Sequence, residues 1–280
     1  MRIVKKMLFC CILLTLFLCG VCGYGVYRVV RHFSRPPAVE IPPRPEVTLT
    51  IPEGFTLKQI GERVSAVDSA FESATFEAWQ DAVGPHSPLE EDSFMEAAGK
   101  PESVDLEGYL FPDTYRFFID ATAQEIAQTL LSTMERRVEA LSLPTGRAEK
   151  YSVHELLTVA SILEREVRTP EDMKEVADIL YKRLEAGIAL QCDSTINYVI
   201  NGNDPSVSLQ DIHETDSPYN TYKHRGLPPG PISNPGFAAL TAAWHPSSNN
   251  FYYFLTDAQG NVHYAKTFEE HVRNKQKYLR

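Results

Sequence analysis

Beyond residue 22 the sequence holds a single cysteine, Cys192; the other four, Cys10, Cys11, Cys19 and Cys22, lie together in an apolar stretch at the N-terminus. A disulfide framework within the main body is therefore excluded, as is a zinc site built on paired cysteines. Basic charge is also scarce. Residues 1–35 carry six Lys/Arg and no Asp/Glu, which leaves 21 basic against 37 acidic residues in the remainder, a net of −16 within a total of −10. A body that acidic repels phosphate backbones, and no basic patch with interleaved aromatics interrupts it, so nucleic acid is not expected as a partner. H-E-x-x-H, G-x-S-x-G and a phosphate loop are all missing, so neither a metal nor a nucleotide cofactor is indicated.

What is present is the composition of a folded protein: 280 residues, 43% hydrophobic and 23% charged. Met7 to Val30 has no charge until Arg28 and is long enough to cross a hydrocarbon core of roughly 30 Å as a helix. The run exceeds the apolar core of a signal peptide, about 7–15 residues, and Leu18 before Cys19 is too bulky for lipoprotein processing. An uncleaved single-pass anchor over 7–30 is expected, with residues 1–6 as a cytoplasmic tail. Arg2, Lys5 and Lys6 favour the N-terminus inside, while Arg28, Arg31 and Arg35 blunt that signal. The body is then expected outside the cytoplasmic membrane.

Residues 31–46 contain "SRPPAVEIPPRPE", a stiff, extended spacer. A short strand (Val47–Ile51), a turn at Pro52–Gly54 and an amphipathic helix from about Thr56 follow. This strand–turn–helix unit resembles the LysM-like modules that grip glycan strands, although a generic βα unit has the same pattern. A LysM-like subdomain over 47–102 is expected, followed by a larger domain over 103–280. The acidic stretch Ser87 to Glu96 reads as a solvated linker face. "SVDLEGYLFPDTYRF" reads as an aromatic-rich strand or loop packed on the main domain. Near the C-terminus "FYYFLT" and "VHYAKT" flank "DAQGN", a hairpin with Gly260 in its turn. The fold class is α+β, helices against a small sheet.

From Ser152 the helix signals are explicit. Ser152 and Glu155 form a capping box opening a helix that runs to about Val167. Thr169, Pro170, Glu171 and Asp172 open a second helix, which Gly187 ends. On a helical wheel Leu156, Val159, Ala160, Leu163 and Val167 form the core stripe; Glu164 and Glu166 flank it about 160° apart. A glutamate beside an apolar stripe is costly unless paired or protonated. Periodicity cannot decide which of the two has a function, or whether both are boundary residues.

"ASILERE", then "LQCDSTINY", "SPYNTYKHRGLPPGPISNPG", "AAWHPSSNNFYYFL" and "HYAKTFEEH", with "LEGYLFPDTYRF" upstream, resemble the MltG/YceG-like family of endolytic murein transglycosylases. The similarity covers roughly Val47 to Arg280 in the family's order and spacing. It implies cleavage of the β-1,4 bond between N-acetylmuramic acid and N-acetylglucosamine within peptidoglycan strands, leaving 1,6-anhydro-muramyl ends. It also implies peptidoglycan synthases as partners, with release or termination of new strands as the role. The family's catalytic glutamate maps to Glu164. Cys192 and Ser194 replace the usual Thr and Pro beside Asp193, and Val167 follows Glu166 where the family has threonine. A lone acid suffices for such a lyase because the muramyl 6-hydroxyl is the nucleophile, whereas a hydrolase needs two carboxylates.

In that context Gln191 and Asp193 are candidates to bind N-acetyl groups or stabilise the oxocarbenium-like centre, although turn capping also accounts for Asp193. Asn220, Thr221 and Tyr222 offer amide, hydroxyl and ring for sugar binding. Pro228 and Gly230 belong to a rigid loop, Gly226 to Gly236, which the resemblance places at the substrate groove. His245 and Cys192 read as structural. Two other readings stay open: an anchored glycan-binding scaffold without activity, and a hydrolase pairing Glu164 with Asp193.

Overall fold

The structure, a computed structural model, describes residues 2–33, 44–67, 74–90, 92–200 and 207–279. Most of the expected proline-rich spacer lies outside the described residues. The chain divides into two compact units, Met1–Arg44 and Pro45–Arg280. In the first, helix α1 (Arg2–Phe33) is continuous over 32 residues. Its segment Leu14–His32 is long and apolar enough to cross a membrane.

The second unit opens with β1 (Glu46–Thr50) and α2 (Leu57–Ala66), whose start is closed by a capping box between Thr56 and Gln59. Helices α3 (Phe76–Val83) and α4 (Ser93–Ala98) follow, then β2 (Thr114–Phe118), which lies antiparallel to β1 with Leu49 opposite Tyr115. The aromatic-rich stretch thus supplies β2, and strands from either side of residue 103 share one sheet. Ser87 to Glu96 is not a solvated face: Ser87, Leu89, Phe94 and Met95 are buried. Two of its acids, Asp92 and Glu90, are where a helix-start N–H group and a buried cation need them. Asp92 accepts from Phe94 N–H, and Glu90 pairs with Lys100 at 2.9 Å.

Helix α5 (Ala123–Glu139) packs on α3. Helix α6 (Val153–Glu166) starts at the expected Ser152–Glu155 capping box. Helix α7 (Pro170–Glu185) starts at Thr169 with Pro170 in its first turn, and Gly187 at φ +64° ends it. The remaining elements are α8 (Asp193–Ile200), α9 (Leu209–Glu214), α10 (Phe237–Trp244), the antiparallel hairpin β3 (Tyr253–Thr256) and β4 (Val262–Ala265), and α11 (Phe268–Tyr278). Gly260 occupies the hairpin turn at φ +88°. The fold is mixed: among the described residues, helices accompany two separate two-stranded sheets.

Helix α6 is the centre of this unit. The wheel anticipates a stripe, yet every residue from Leu156 to Leu163 is buried. Helices α4, α7, α8 and α10 all pack against it. A wheel assumes one partner layer, and here the partners surround the helix. The polar residues this encloses are satisfied locally: Thr158 donates to His154 O at 2.8 Å, and Ser161 to Thr158 O at 2.7 Å.

Candidate active site

The apolar enclosure of α6 ends at its last turn, where Glu164 emerges half-buried. Its Oε2 accepts the backbone N–H of Gly236 at 3.0 Å. Gly236 is the residue that opens α10 and has no side chain to cap it, so the carboxyl of Glu164 meets the positive end of that helix.

Gly236 is delivered there by the Gly226–Gly236 loop, which is tied down along its length. His154 on α6 donates from Nε2 to Pro229 O at 2.9 Å. Ile232 N–H donates to Ser161 Oγ at 3.0 Å, and Ser233 Oγ to Ser161 O at 3.2 Å. Asn234 then joins three segments. Its Nδ2 donates to Phe55 O at 3.0 Å and to Glu107 Oε1 at 2.9 Å, while Oδ1 accepts from Leu110 N–H at 2.9 Å. Its backbone exchanges bonds with the turn after β1, Asn234 N–H to Phe55 O and Gly54 N–H to Asn234 O, both 2.9 Å.

That turn approaches Glu164 from the other side. Gly54 has φ +74°, and a Cβ there would lie 3.4 Å from Glu164 Cγ, so only glycine passes without strain. Arg165 donates to Gly54 O at 3.3 Å. The preceding residue, Glu53, is exposed, and a Cβ on Gly236 would fall 1.9 Å from its Oε1. A second carboxylate therefore occupies the space beside Gly236. Burial pushes the Glu164 carboxyl above its ordinary value, the Gly236 N–H opposes this, the charge of Glu53 adds to it and Arg165 offsets part.

Glu166 serves a different neighbour. Its Oε1 accepts from Ser194 Oγ at 2.6 Å and from Ser194 N–H at 3.3 Å, in the first turn of α8. Burial raises this carboxyl too, against the two Ser194 bonds.

Five of the other sequence-derived residues, Gln191, Asp193, Asn220, Thr221 and Tyr222, gather around the start of α8. Asp193 accepts from the Tyr222 hydroxyl. Gln191, at φ +53°, donates its N–H to Thr221 O at 3.1 Å and accepts from Arg183 Nη2 at 2.9 Å. Thr221 Oγ1 accepts from Cys192 N–H at 3.0 Å. Asn220 is fully enclosed: it donates to Ile212 O and Thr215 O, both 2.9 Å, and accepts from Tyr222 and Lys223 N–H groups. Pro228 and Gly230 are buried within the loop. Among the described residues no hydrogen bond links Glu164 to this group, which reaches α6 through Glu166 and Ser194. Burial drives the Cys192 thiol well above its ordinary value, away from thiolate chemistry. Among the described residues, no group of three or more His, Cys, Asp or Glu is disposed to hold a metal.

Glu53, Glu107, Ser161, Asn234 and Gly236 escape sequence reasoning. Glu53 sits in a turn signal and Asn234 in a proline-glycine run, where pattern speaks only of backbone shape. A positively charged partner or a helix period would have marked Glu53 and Asn234, and neither is there.

The family description "YceG-like family" matches residues 20–277. The chain belongs to the YceG-like family. Among similar proteins, the "Endolytic murein transglycosylase" of Bacillus subtilis (strain 168) is 40% identical over 175 residues, 62% of this chain and 48% of the relative. The protein of the same name from Streptococcus pneumoniae (strain ATCC BAA-255 / R6) is 36% identical over 243 residues, 81% of this chain and 44% of the relative. This YceG-like chain thus spans about half the length of the curated relatives it matches. A crystal structure of a yceG-like protein from Listeria monocytogenes superposes with TM-score 0.67 at 34% identity, covering 81% of this chain and 75% of that one.

Proposed function

We propose that this YceG-like protein is a membrane-anchored endolytic lytic transglycosylase. It cleaves the β-1,4 bond between N-acetylmuramic acid and N-acetylglucosamine within peptidoglycan strands and leaves 1,6-anhydro-muramyl ends. The observation that carries this reading is the setting of Glu164: a half-buried carboxyl whose proton is held more firmly than usual, on the central helix, facing a rigid loop. Such a group protonates the leaving glycosidic oxygen, and its conjugate base then takes the proton from the muramyl 6-hydroxyl. The names of the similar proteins, endolytic murein transglycosylases, support the substrate class.

Gln191, Asp193 and Tyr222 are assigned to sugar binding, with Asn220 and Thr221 supporting them from below and Pro228 and Gly230 shaping the groove wall. Residues 7–30 form a single cytoplasmic-membrane span, residues 31–46 a spacer, and the catalytic domain over 103–280 lies on the extracytoplasmic side. Residues 47–102 contribute a LysM-like glycan grip, a reading supported by the β1 strand and capped α2 helix. Peptidoglycan synthases are the partners, and cleavage terminates nascent strands.

Mass spectrometry of glycan products from purified peptidoglycan, treated with the detergent-solubilised chain or its Glu164→Gln variant, tests this. Anhydro-muramyl ends from the wild type alone are the expected result. Reducing ends indicate a hydrolase, and binding without cleavage indicates a scaffold; either overturns the proposal.

A further inference from the structure

The turn after β1 brings Glu53 to a place that no local pattern anticipates. Its Oε1 would be 1.9 Å from a Cβ on Gly236, while Gly236 N–H is 3.0 Å from Glu164 Oε2. Backbone dimensions then bring the two carboxyl groups within roughly 7 Å of each other. Glu53 is exposed and Glu164 half-buried, and Glu164 faces the negative charge of Glu53. The other groups facing Glu164 are Arg165 on α6, which is hydrogen-bonded to Gly54 O, and the N–H of Gly236 at the start of α10. Both favour the ionised form.

We infer that Glu53 is a positioning residue for the acid: lying beside Gly236, its carboxylate keeps the Glu164 proton in place until the glycosidic oxygen takes it. The inference rests on the proposed role of Glu164. The positive end of α10 accommodates one negative charge readily. Glu53 supplies that charge, and a second one on Glu164 is disfavoured by repulsion. Absence of a side chain at Gly236 is what admits Glu53. The turn itself is held by the Gly54 and Phe55 bonds to Asn234, so the backbone that carries Glu53 stays in register with the acid.

The test compares wild type, Glu53→Gln and Glu53→Asp, using the full chain in detergent. Carbon-13 NMR of labelled glutamate carboxyls follows the titration of Glu164, assigned by its loss in Glu164→Gln. In parallel, kcat/KM for peptidoglycan cleavage is measured against pH. The acid is active while protonated, so activity declines as pH rises through its midpoint. Glu53→Gln is expected to lower both the NMR midpoint and the alkaline limb by on the order of half to one pH unit. Glu53→Asp is expected to restore part of the shift. Raising salt on the wild type should move the midpoint in the same direction as Glu53→Gln, because an exposed charge is screened. An unchanged Glu164 midpoint in folded Glu53→Gln, or a uniform loss of rate with no movement of the limb, overturns the inference. Failure of the wild type to cleave refutes the transglycosylase reading instead, and the NMR titration still decides the coupling.

Discussion

Tyr109 and His154 are joined by a hydrogen bond of 2.8 Å between the phenol oxygen and Nδ1. The other ring nitrogen contacts the carbonyl of Pro229, which can only accept, so Nε2 carries the hydrogen and Nδ1 accepts from the tyrosine. Burial lowers the pKa of this histidine, the Pro229 carbonyl opposes that, and the neutral ring is the form that fits. Tyr109→Phe leaves Nδ1 without its donor and is expected to cost about 1–2 kcal/mol in urea unfolding. Because His154 holds the proline-glycine loop, cleavage should fall as well. The sign with pH follows from the lowered pKa: the contribution of His154 to stability is present above the unfolded value, about 6.5, and is lost as pH falls through the lower folded one.

Glu107 is expected to impose the opposite dependence. Its carboxylate is fully enclosed, accepting from Leu57 N–H at 3.0 Å and Asn234 Nδ2 at 2.9 Å, and burial raises its pKa well above the ordinary value. A raised acid contributes stability that is complete below the unfolded value, about 4.3, and is lost as pH rises through the folded one. Glu107→Gln removes this contribution while retaining an acceptor. Stability measured from pH 5 to 8 should therefore decline less steeply in the variant than in wild type. Some slope remains, since Glu164 and Glu166 are shifted in the same direction.

On the proposed reading Glu166 and Glu164, two residues apart on α6, have separate tasks. Glu166→Gln keeps an acceptor for Ser194 and should cost about 1 kcal/mol of stability, with cleavage within about threefold of wild type. Glu164→Gln should leave stability nearly unchanged and reduce cleavage by about 10²-fold or more. Thermal melts and product analysis on both variants separate a structural glutamate from a catalytic one. Equal losses of activity would defeat the assignment.

Gly236→Ala places a methyl where the Glu53 carboxylate lies. The obstructing atoms are the end of a flexible, exposed side chain, so the chain should fold, with a loss of about 1 kcal/mol for the poorer helix start. Displacement of Glu53 and strain on the N–H bond to Glu164 should reduce cleavage about tenfold. Circular dichroism melts alongside product formation check both expectations.

Local signals in the sequence carried the helices well. Ser152 with Glu155, Thr169 with Pro170, and Gly187 mark helix ends because capping satisfies N–H and carbonyl groups within a few residues. The hairpin around Gly260 is legible for the same reason. The opposite placement of Glu164 and Glu166 follows from the helical period alone. Charge density in Ser87 to Glu96 does not mean exposure, because Asp92 caps a helix start and Glu90 pairs with Lys100.

Tertiary structure decided the rest. Glu53 and Glu164 are far apart in the chain, and nothing in either neighbourhood encodes their meeting. It depends on Asn234 tying the β1–α2 turn to the loop before α10, and on Gly236 leaving room between them. Burial of α6 on every side from Leu156 to Leu163 likewise requires partners from four other helices. The sequence by itself determined the apolar N-terminal helix, the caps, the turn glycines and the glutamate that α6 presents at its end, since each depends on neighbours within one or two turns. Which groups surround that glutamate, and how firmly its proton is held, came only from long-range packing, where burial and the charge of a distant residue act across space rather than along the chain.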